Sequence, residues 1–361
     1  MSVKDVDNHK LMYHPDRISD WKNQHFCFPL HIEAGITNRC NHRCTYCTLD
    51  WINHKTDDIN TETFLKMLED AARIGVKSIY FAGEGEPTLH PDLDLFVKKA
   101  FSLGLKVSLS TNGSKMNREL AMKIIPYLSW IRFSVDAFRS DTYSKLHGVG
   151  EKELFKVLEN IKECCDLVRG LKYIKDTDII GPRCQIGVQA IFMPDNMMEI
   201  ENLAHYCKSV GVHNIQIKPA HSHPKSSFKP GIFEFSHNEL KNRLEKLNDD
   251  KFAVIVRVQS MERLTQERNY KACHAFDVYC LIDAYGNVTP CNVFYSDPEF
   301  IFGNINEKSL EEIWTSDRKK EIMNKISELK FSKCGDYRCR LDVMNRYLER
   351  VMHPEVNDEF I

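Results

Sequence analysis

No stretch of about 18 uninterrupted apolar residues occurs in the 361-residue chain, and its first residues, Met1 to Lys10, are polar. Neither a membrane span nor a secretory leader is expected, and the protein is read as cytoplasmic. A basic excess is lacking too. Lys and Arg number 49 against 51 Asp and Glu, a formal net charge of -2, so the electrostatic footprint of a general nucleic-acid binder is missing. The triplet Arg318-Lys319-Lys320 sits in an amphipathic stretch and reads as a solvated helix face. Low-complexity tracts are missing, and the only internal repetition is an alternation of strand-like and helix-like segments. With 42% hydrophobic and 28% charged residues the composition is that of a globular protein. The length suggests a large domain plus a smaller one. What the chain has in quantity is cysteine: thirteen Cys without a secretory leader point to metal or redox chemistry rather than to a disulfide framework.

Three of them fall in Cys40-Asn41-His42-Arg43-Cys44-Thr45-Tyr46-Cys47, directly after the extended apolar run Leu30 to Ile36. Three thiolates can hold three irons of a 4Fe-4S cube and leave the fourth open. A structural zinc site wants four ligands, usually as two separated CxxC-like pairs, so a CxxxCxxC that stops at three suits zinc poorly. The bland alternative is three packed thiols, since free Cys commonly serves as a small hydrophobe.

From residue 30 to about 220, short apolar runs alternate with helix-period stretches. Candidate strands are Leu30 to Ile36, Ser78 to Ala82, Lys106 to Ser110, Trp130 to Val135, Gln185 to Phe192 and Asn214 to Lys218. Candidate helices are Thr61 to Ile74, Pro91 to Leu103, Asn117 to Ile125, Glu151 to Val168 and Met197 to Val210. Such βα repeats imply right-handed crossovers and a parallel sheet. The expected fold is α/β, a partial (βα)6 TIM-like barrel with a small C-terminal Cys-rich β-hairpin plus helix module; a doubly wound open sheet is the alternative from pattern alone. The expected division is 1–29 as an N-terminal extension, 30–220 as the barrel, 221–269 as a connecting segment, 270–348 as the Cys-rich module and 349–361 as a tail. Asp176 to Pro182 reads as a loop, and after His221 to Gly231 come a helix-like stretch (Asn238 to Leu247) and a strand-like one (Phe252 to Val258).

In βα barrels chemistry lies at the C-terminal ends of the strands, where the three cysteines follow the first strand. Gly83-Glu84-Gly85-Glu86-Pro87 follows the second; its glycines allow close backbone approach, and Glu86 offers a carboxylate. Ser110-Thr111-Asn112-Gly113 closes the third strand and Ser134-Val135-Asp136 the fourth, with capping and turn formation as the alternative role. Gln189 in the fifth strand is placed to face the lumen. Lys218 at the end of the sixth is a candidate for substrate contact, with a snorkelling surface lysine as the alternative. His221 and His223 read as a polar loop. Near the C-terminus Cys273 and Cys291 flank a predicted hairpin, Leu281 to Pro290, with Gly286 at its turn; Cys334 and Cys339 follow a helical stretch, Leu310 to Leu329. Four Cys in two pairs suit zinc or a second 4Fe-4S cluster, and spacing does not decide. Cys27, Cys164, Cys165, Cys184, Cys207 and Cys280 read as packing residues.

The CxxxCxxC with Tyr46 before its third Cys resembles the radical S-adenosylmethionine (radical SAM) superfamily. In that family the open iron chelates the amino and carboxylate groups of S-adenosylmethionine. Gly85-Glu86-Pro87 resembles the family's GGEP motif, whose carbonyl and carboxylate hold the cofactor's ammonium, although Glu84 stands where a further Gly is common. By the same resemblance Tyr46, Ser110, Asn112, Ser134, Asp136 and Gln189 are candidate cofactor contacts. The second arrangement, Cys-x12-Gly-x4-Cys and then Cys-x4-Cys, resembles the Twitch form of the SPASM module. This implies one auxiliary 4Fe-4S cluster on Cys273, Cys291, Cys334 and Cys339, with Cys280 as the substitute if Cys339 is not a ligand. The implied chemistry is reductive cleavage of S-adenosylmethionine to a 5'-deoxyadenosyl radical, with a flavodoxin or ferredoxin-type electron donor and a small-molecule substrate, and without nucleic acid or membrane. Oxidation of an alcohol on a sugar, aminocyclitol or nucleoside-like substrate ranks first. Epimerisation, with Cys280 as the candidate hydrogen donor, ranks second and peptide maturation third; a non-enzymatic zinc scaffold is the reading from a different class.

Overall fold

The computed structural model describes residues 9–52, 54–171, 184–230, 236–335, 337, 339–358 and 360. Its strands are β1 (His31–Ala34), β2 (Ser78–Phe81), β3 (Lys106–Thr111), β4 (Trp130–Ser134), β5 (Gln185–Phe192), β6 (Asn214–Pro219), β7 (Ala253–Val256), β8 (Tyr279–Ile282), β9 (Asn287–Thr289) and β10 (Gly303–Asn304). They form one sheet in the order β10-β9-β8-β1-β2-β3-β4-β5-β6-β7. β1 to β7 run parallel in chain order, as right-handed crossovers require. All six expected strands are present. The sheet is longer than expected at both edges: β7, from the connecting segment, pairs parallel with β6, and β8 pairs parallel with β1, His31 opposite Tyr279. The predicted hairpin is β8 and β9, turning at Gly286 with φ +83°, so the Cys-rich module grows out of the barrel's own sheet.

The helices are α1 (Pro15–Gln24), α2 (Thr61–Arg73), α3 (Leu93–Ser102), α4 (Arg118–Ile124), α5 (Ser140–His147), α6 (Lys152–Leu171), α7 (Ile200–Val210), α8 (His237–Leu244), α9 (Val258–Glu262), α10 (Leu310–Thr315), α11 (Asp317–Glu328) and α12 (Asp342–Met352). Capping explains several starts: Asn60 accepts from Thr63 N at 3.0 Å to open α2, and Asn117 accepts from Leu120 N at 3.0 Å to open α4. α2 then buries Phe64, Met67, Leu68 and Ala71 on one stripe, at about 1.5 to 3 kcal/mol for each large side chain. The expected helix Leu310 to Leu329 is in fact two. Ser316 adopts an extended conformation, ψ 151°, and its side chain accepts from Lys319 N, so an N-cap interrupts the run. Lys319 also departs from the solvated face expected of it: it is 5% exposed, 2.8 Å from Asp277 and packed over Trp314. No helix among the described residues is long and apolar enough to cross a membrane. The loop read at Asp176 to Pro182 lies outside the described residues.

Strand alternation separates two faces. Ile79, Val107, Leu109, Ile131, Phe133, Ile186, Val188, Ile215 and Ile217 are fully buried against the helices. The opposite face carries Glu33, Tyr80, Ser110, Arg132, Ser134, Gln189, Gln216 and Lys218, a polar set. Tyr46, from the loop after β1, donates to Asp136 at the end of β4, and Ser226, from the loop after β6, meets Cys47 O at 3.2 Å. A flat sheet would hold β1 about 14 Å from β4 and about 24 Å from β6. The sheet is curled, and the polar face encloses a lumen.

Candidate active site

The cysteine loop is seated on a helix end. The last carbonyls of α5 have no partner within the helix, and two of them take loop donors: Arg43 N bonds His147 O and Thr45 N bonds Leu146 O, both at 2.9 Å. Gly148 completes the seat; a Cβ there would lie 2.4 Å from Arg43 O. From the other side Asn112 Nδ2 donates to Asn41 Oδ1 at 2.8 Å, and Asn41 Nδ2 donates to Ser114 Oγ at 2.6 Å. Ser226 Oγ reaches Cys47 O at 3.2 Å. Burial pushes the Cys40 thiol up to about 11 and raises Cys44 and Cys47 as well, each thiol also feeling a neighbouring thiol or carboxylate. Three such thiols become thiolates together only if a cation supplies the compensating charge, which suits a metal cluster.

Gly85 and Glu86 pack onto the stretch just ahead of Cys40. A Cβ at Gly85 would sit 2.4 Å from both Thr37 O and Arg39 O, and Glu86 N donates to Arg39 O at 2.8 Å. The Glu86 carboxylate is 3% exposed. Its Oε1 accepts from Thr88 N (3.1 Å), Thr88 Oγ1 (2.6 Å) and Thr111 Oγ1 (2.6 Å), while Oε2 accepts from Asn112 N (2.6 Å). Burial raises its pKa against the pull of these donors. Oε2, with one bond, keeps capacity for a further donor.

Tyr46 and Asp136 meet each other inside the protein. The Tyr46 hydroxyl donates to Asp136 Oδ2, His147 Nε2 lies 3.2 Å from the same oxygen, and Ile191 N donates to Oδ1. His147 Nδ1 is 3.6 Å from Cys44 Sγ, and its ring stacks on Tyr143 at 4.0 Å. Asp136 thus braces β5, α5 and the cysteine loop. Sequence reasoning missed His147 and His42, which with Cys44 group their ligand atoms within 4.8 Å of one another. The position of His42 inside the CxxxC was the one available signal. Ser110 accepts from Tyr80 Oη at 2.6 Å, Ser134 lies opposite Gln189 in register, and Gln189 Oε1 accepts from Arg132 at 3.4 Å.

The second group converges. Cys273, Cys291, Cys334 and Cys339 line one cavity with Tyr270 and Phe331, and Asn345 Nδ2 donates to Cys273 Sγ at 3.1 Å. Burial raises all four thiols, and Cys339 raises the other three further. Cys280 is elsewhere. Its neighbour Tyr279 donates to Glu33 Oε2 at 2.7 Å on the lumen side, so Cys280 points to the opposite face, fully buried. The loop from His221 to Phe228 spans both groups: Ser226 touches Cys47, and the His223 ring lies 5.3 Å from that of Tyr337. Arg340, next to Cys339, donates to Glu33 Oε1 at 2.8 Å in the lumen. Glu84, at the rim, accepts from Ala284 N at 2.6 Å; burial and then Asp283 push it up to about 8.

Residues 35–183 match the model of the radical SAM superfamily, and residues 273–340 match that of an iron-sulfur cluster-binding domain. The chain is 27% identical over 301 residues to a tungsten-containing aldehyde ferredoxin oxidoreductase cofactor-modifying protein of Pyrococcus furiosus, covering 78% of this chain and 80% of that protein. It is 25% identical over 344 residues to an Fe-coproporphyrin III synthase of Methanosarcina barkeri, covering 86% and 81%. Among solved structures, Streptococcus suis SuiB bound to S-adenosylmethionine superposes with a TM-score of 0.63 at 18% identity, covering 90% of this chain and 75% of that one, a likeness of fold.

Proposed function

We propose that this chain, which belongs to the radical SAM superfamily and carries a C-terminal iron-sulfur cluster-binding domain, oxidises a small polar substrate held in its lumen by two electrons. Its cofactors are S-adenosylmethionine, a catalytic 4Fe-4S cluster and an auxiliary cluster. When bound, the catalytic cluster and S-adenosylmethionine supply a 5'-deoxyadenosyl radical able to take hydrogen from an unactivated carbon. The protein's part is binding, orientation and electrostatics. We assign 30–220 to the core and 270–348 to the auxiliary domain.

Cys40, Cys44 and Cys47 would hold the catalytic cluster and Cys273, Cys291, Cys334 and Cys339 the auxiliary one. Glu86 Oε2 has the remaining acceptor capacity for the cofactor's ammonium. Gly85 seats that carboxylate against the cysteine loop, and Asn112 ties the loop to β3. Ser110, Ser134 and Gln189 offer hydroxyl and amide groups along the lumen. Tyr46 and Asp136 act by bracing. The observation that supports the proposal is that the His221 to Phe228 loop bridges the surroundings of the two cysteine groups, Ser226 meeting Cys47 O at 3.2 Å and the His223 ring lying 5.3 Å from that of Tyr337, which lines the cavity of the other four cysteines. For an alcohol that loses hydrogen from carbon, the group held by Cys273, Cys291, Cys334 and Cys339 would supply an acceptor for the second electron while the hydroxyl proton passes to water, and a flavodoxin or ferredoxin-type donor would supply the reducing electron at the first group. Alcohol oxidation on a sugar, aminocyclitol or nucleoside is favoured over epimerisation because Cys280 faces away from the lumen.

The test is Cys291→Ala in anaerobically reconstituted protein, first shown to be folded and loaded at the first cluster. With candidate sugars, aminocyclitols and nucleosides, the variant should still form 5'-deoxyadenosine while oxidised product disappears. A folded variant lacking the auxiliary cluster that makes the product at the normal rate would refute the electron-acceptor role.

A further inference from the structure

Among the described residues, not every cation on the lumen face has an acid in contact with it. Arg340 is taken by Glu33 at 2.8 Å. Asp136 is committed to Tyr46, His147 and the main chain of β5. Two cations have no carboxylate in contact among the described residues, although Asp136 attracts one of them, Lys218, from a distance. Arg132, from β4, stacks over Trp130 and makes one long hydrogen bond, 3.4 Å, to Gln189. Lys218, at the C-terminal end of β6, makes no hydrogen bond or ion pair with any described residue. Three residues further on, His221 is half-buried, with its Nδ1 enclosed and unpartnered.

Both are half-buried, and cations taken partly out of water without an acid in contact are costly. Arg132 reaches Gln189, which is level with Gln216, and Lys218 is the next residue of that face of β6; burial first, and then Arg257, Arg132 and Arg340, push the Lys218 ammonium down to about 7 against the pull of Asp136. An arrangement of this kind is relieved by an anion placed among the cations, and a planar guanidinium beside an ammonium suits an oxyanion with two or more oxygens.

We propose that Arg132 and Lys218 form a subsite for an anionic oxygen group of the substrate, a carboxylate or a phosphate, in the lumen between the two cysteine groups. This rests on the reading of the lumen as the substrate site. It narrows the substrate to polar molecules that carry such a group. Acid-bearing sugars and nucleotides qualify; aminocyclitols, which carry amines and no acid group, do not.

Binding is measured by calorimetry on the anaerobically reconstituted protein saturated with S-adenosylmethionine. Inorganic pyrophosphate is the phosphate probe and glutarate the carboxylate probe. At least one should bind, and the preferred one identifies the group. Lys218→Met and Arg132→Met should each weaken it tenfold or more, Lys218→Arg should keep it within about threefold, and Lys246→Met on the exposed surface should leave it unchanged. If neither probe binds, or if both Met variants bind as well as the wild type, the subsite is refuted. If the Met variants instead lose affinity for S-adenosylmethionine, and the probes compete with it, the cations serve the cofactor's carboxylate and the substrate proposal is overturned. Titration needs no turnover, so failure of the reduced wild type to form 5'-deoxyadenosine would count against the radical reading alone.

Discussion

Asp136 separates two roles that sequence could not: a ligand of the cofactor or a brace of the cluster loop. Its Oδ2 accepts from the Tyr46 hydroxyl and faces His147 Nε2, and its Oδ1 accepts from Ile191 N. The carboxylate is 1% exposed. Hydrogen bonds to a charged acceptor contribute about 1.5 to 3 kcal/mol each, and a buried donor left unpaired costs about 1 to 3 kcal/mol. Asp136→Asn removes the charge and turns an amide N–H toward one of these donors, so a loss of about 3 kcal/mol is expected. Tyr46→Phe removes one hydroxyl and should cost about 1.5 to 2 kcal/mol. Because the two groups share a bond, the double variant should cost less than the sum, with a coupling of about 1 kcal/mol or more. Anaerobic denaturant unfolding of the four reconstituted proteins measures the cycle, and calorimetry gives the affinity for S-adenosylmethionine. Additive single effects, together with a cofactor affinity tenfold weaker in Asp136→Asn alone, would refute the brace and make Asp136 a ligand.

Gly85→Ala should cost more than about 3 kcal/mol and lower iron content, because both atoms its Cβ would strike are backbone carbonyls that cannot turn aside; near-normal stability and iron loading would show that the loop has room. Glu86→Gln should weaken S-adenosylmethionine binding by about 1.5 to 3 kcal/mol; unchanged affinity in calorimetry would leave Glu86 as a tie between β2 and β3. Glu84 has a folded pKa raised from 4.5 to about 8, so its stabilising contribution is complete below about pH 4.5 and is lost as pH rises toward 8, at a slope approaching 1.4 kcal/mol per unit. Glu84→Gln should flatten that decline in unfolding measured from pH 5 to 8; an unaltered slope would place the titration elsewhere.

The six barrel strands were legible because each is a short apolar run set between helix-period stretches, and the strand ends carrying Cys40, Glu86, Asn112, Asp136 and Lys218 followed from them. Local signals also marked the hairpin at Gly286. What escaped depends on contacts between residues remote in the chain. Arg340 and Glu33 are 307 positions apart, and nothing near either predicts their pairing. β8 reads as half of a hairpin, and only its register with β1 makes it part of the barrel sheet. Lys319 looks like any residue of a charged triplet, yet its long stem lets the ammonium reach Asp277 while its methylenes are buried. His147 lies on a short amphipathic helix whose end happens to carry the cysteine loop. The competition between capping by Ser316 and continuation of α10 was visible but went the other way from the longer helical pattern.

The central claim is that two separate cysteine groups carry two clusters and that only the first opens onto S-adenosylmethionine. It is tested most directly by replacing Cys40, Cys44 and Cys47 together with Ala and measuring, in the same anaerobically reconstituted sample, iron content and 5'-deoxyadenosine formed after reduction. The account predicts a folded, still brown protein that has lost roughly half its iron and all cleavage. Cleavage retained in the triple variant would contradict it.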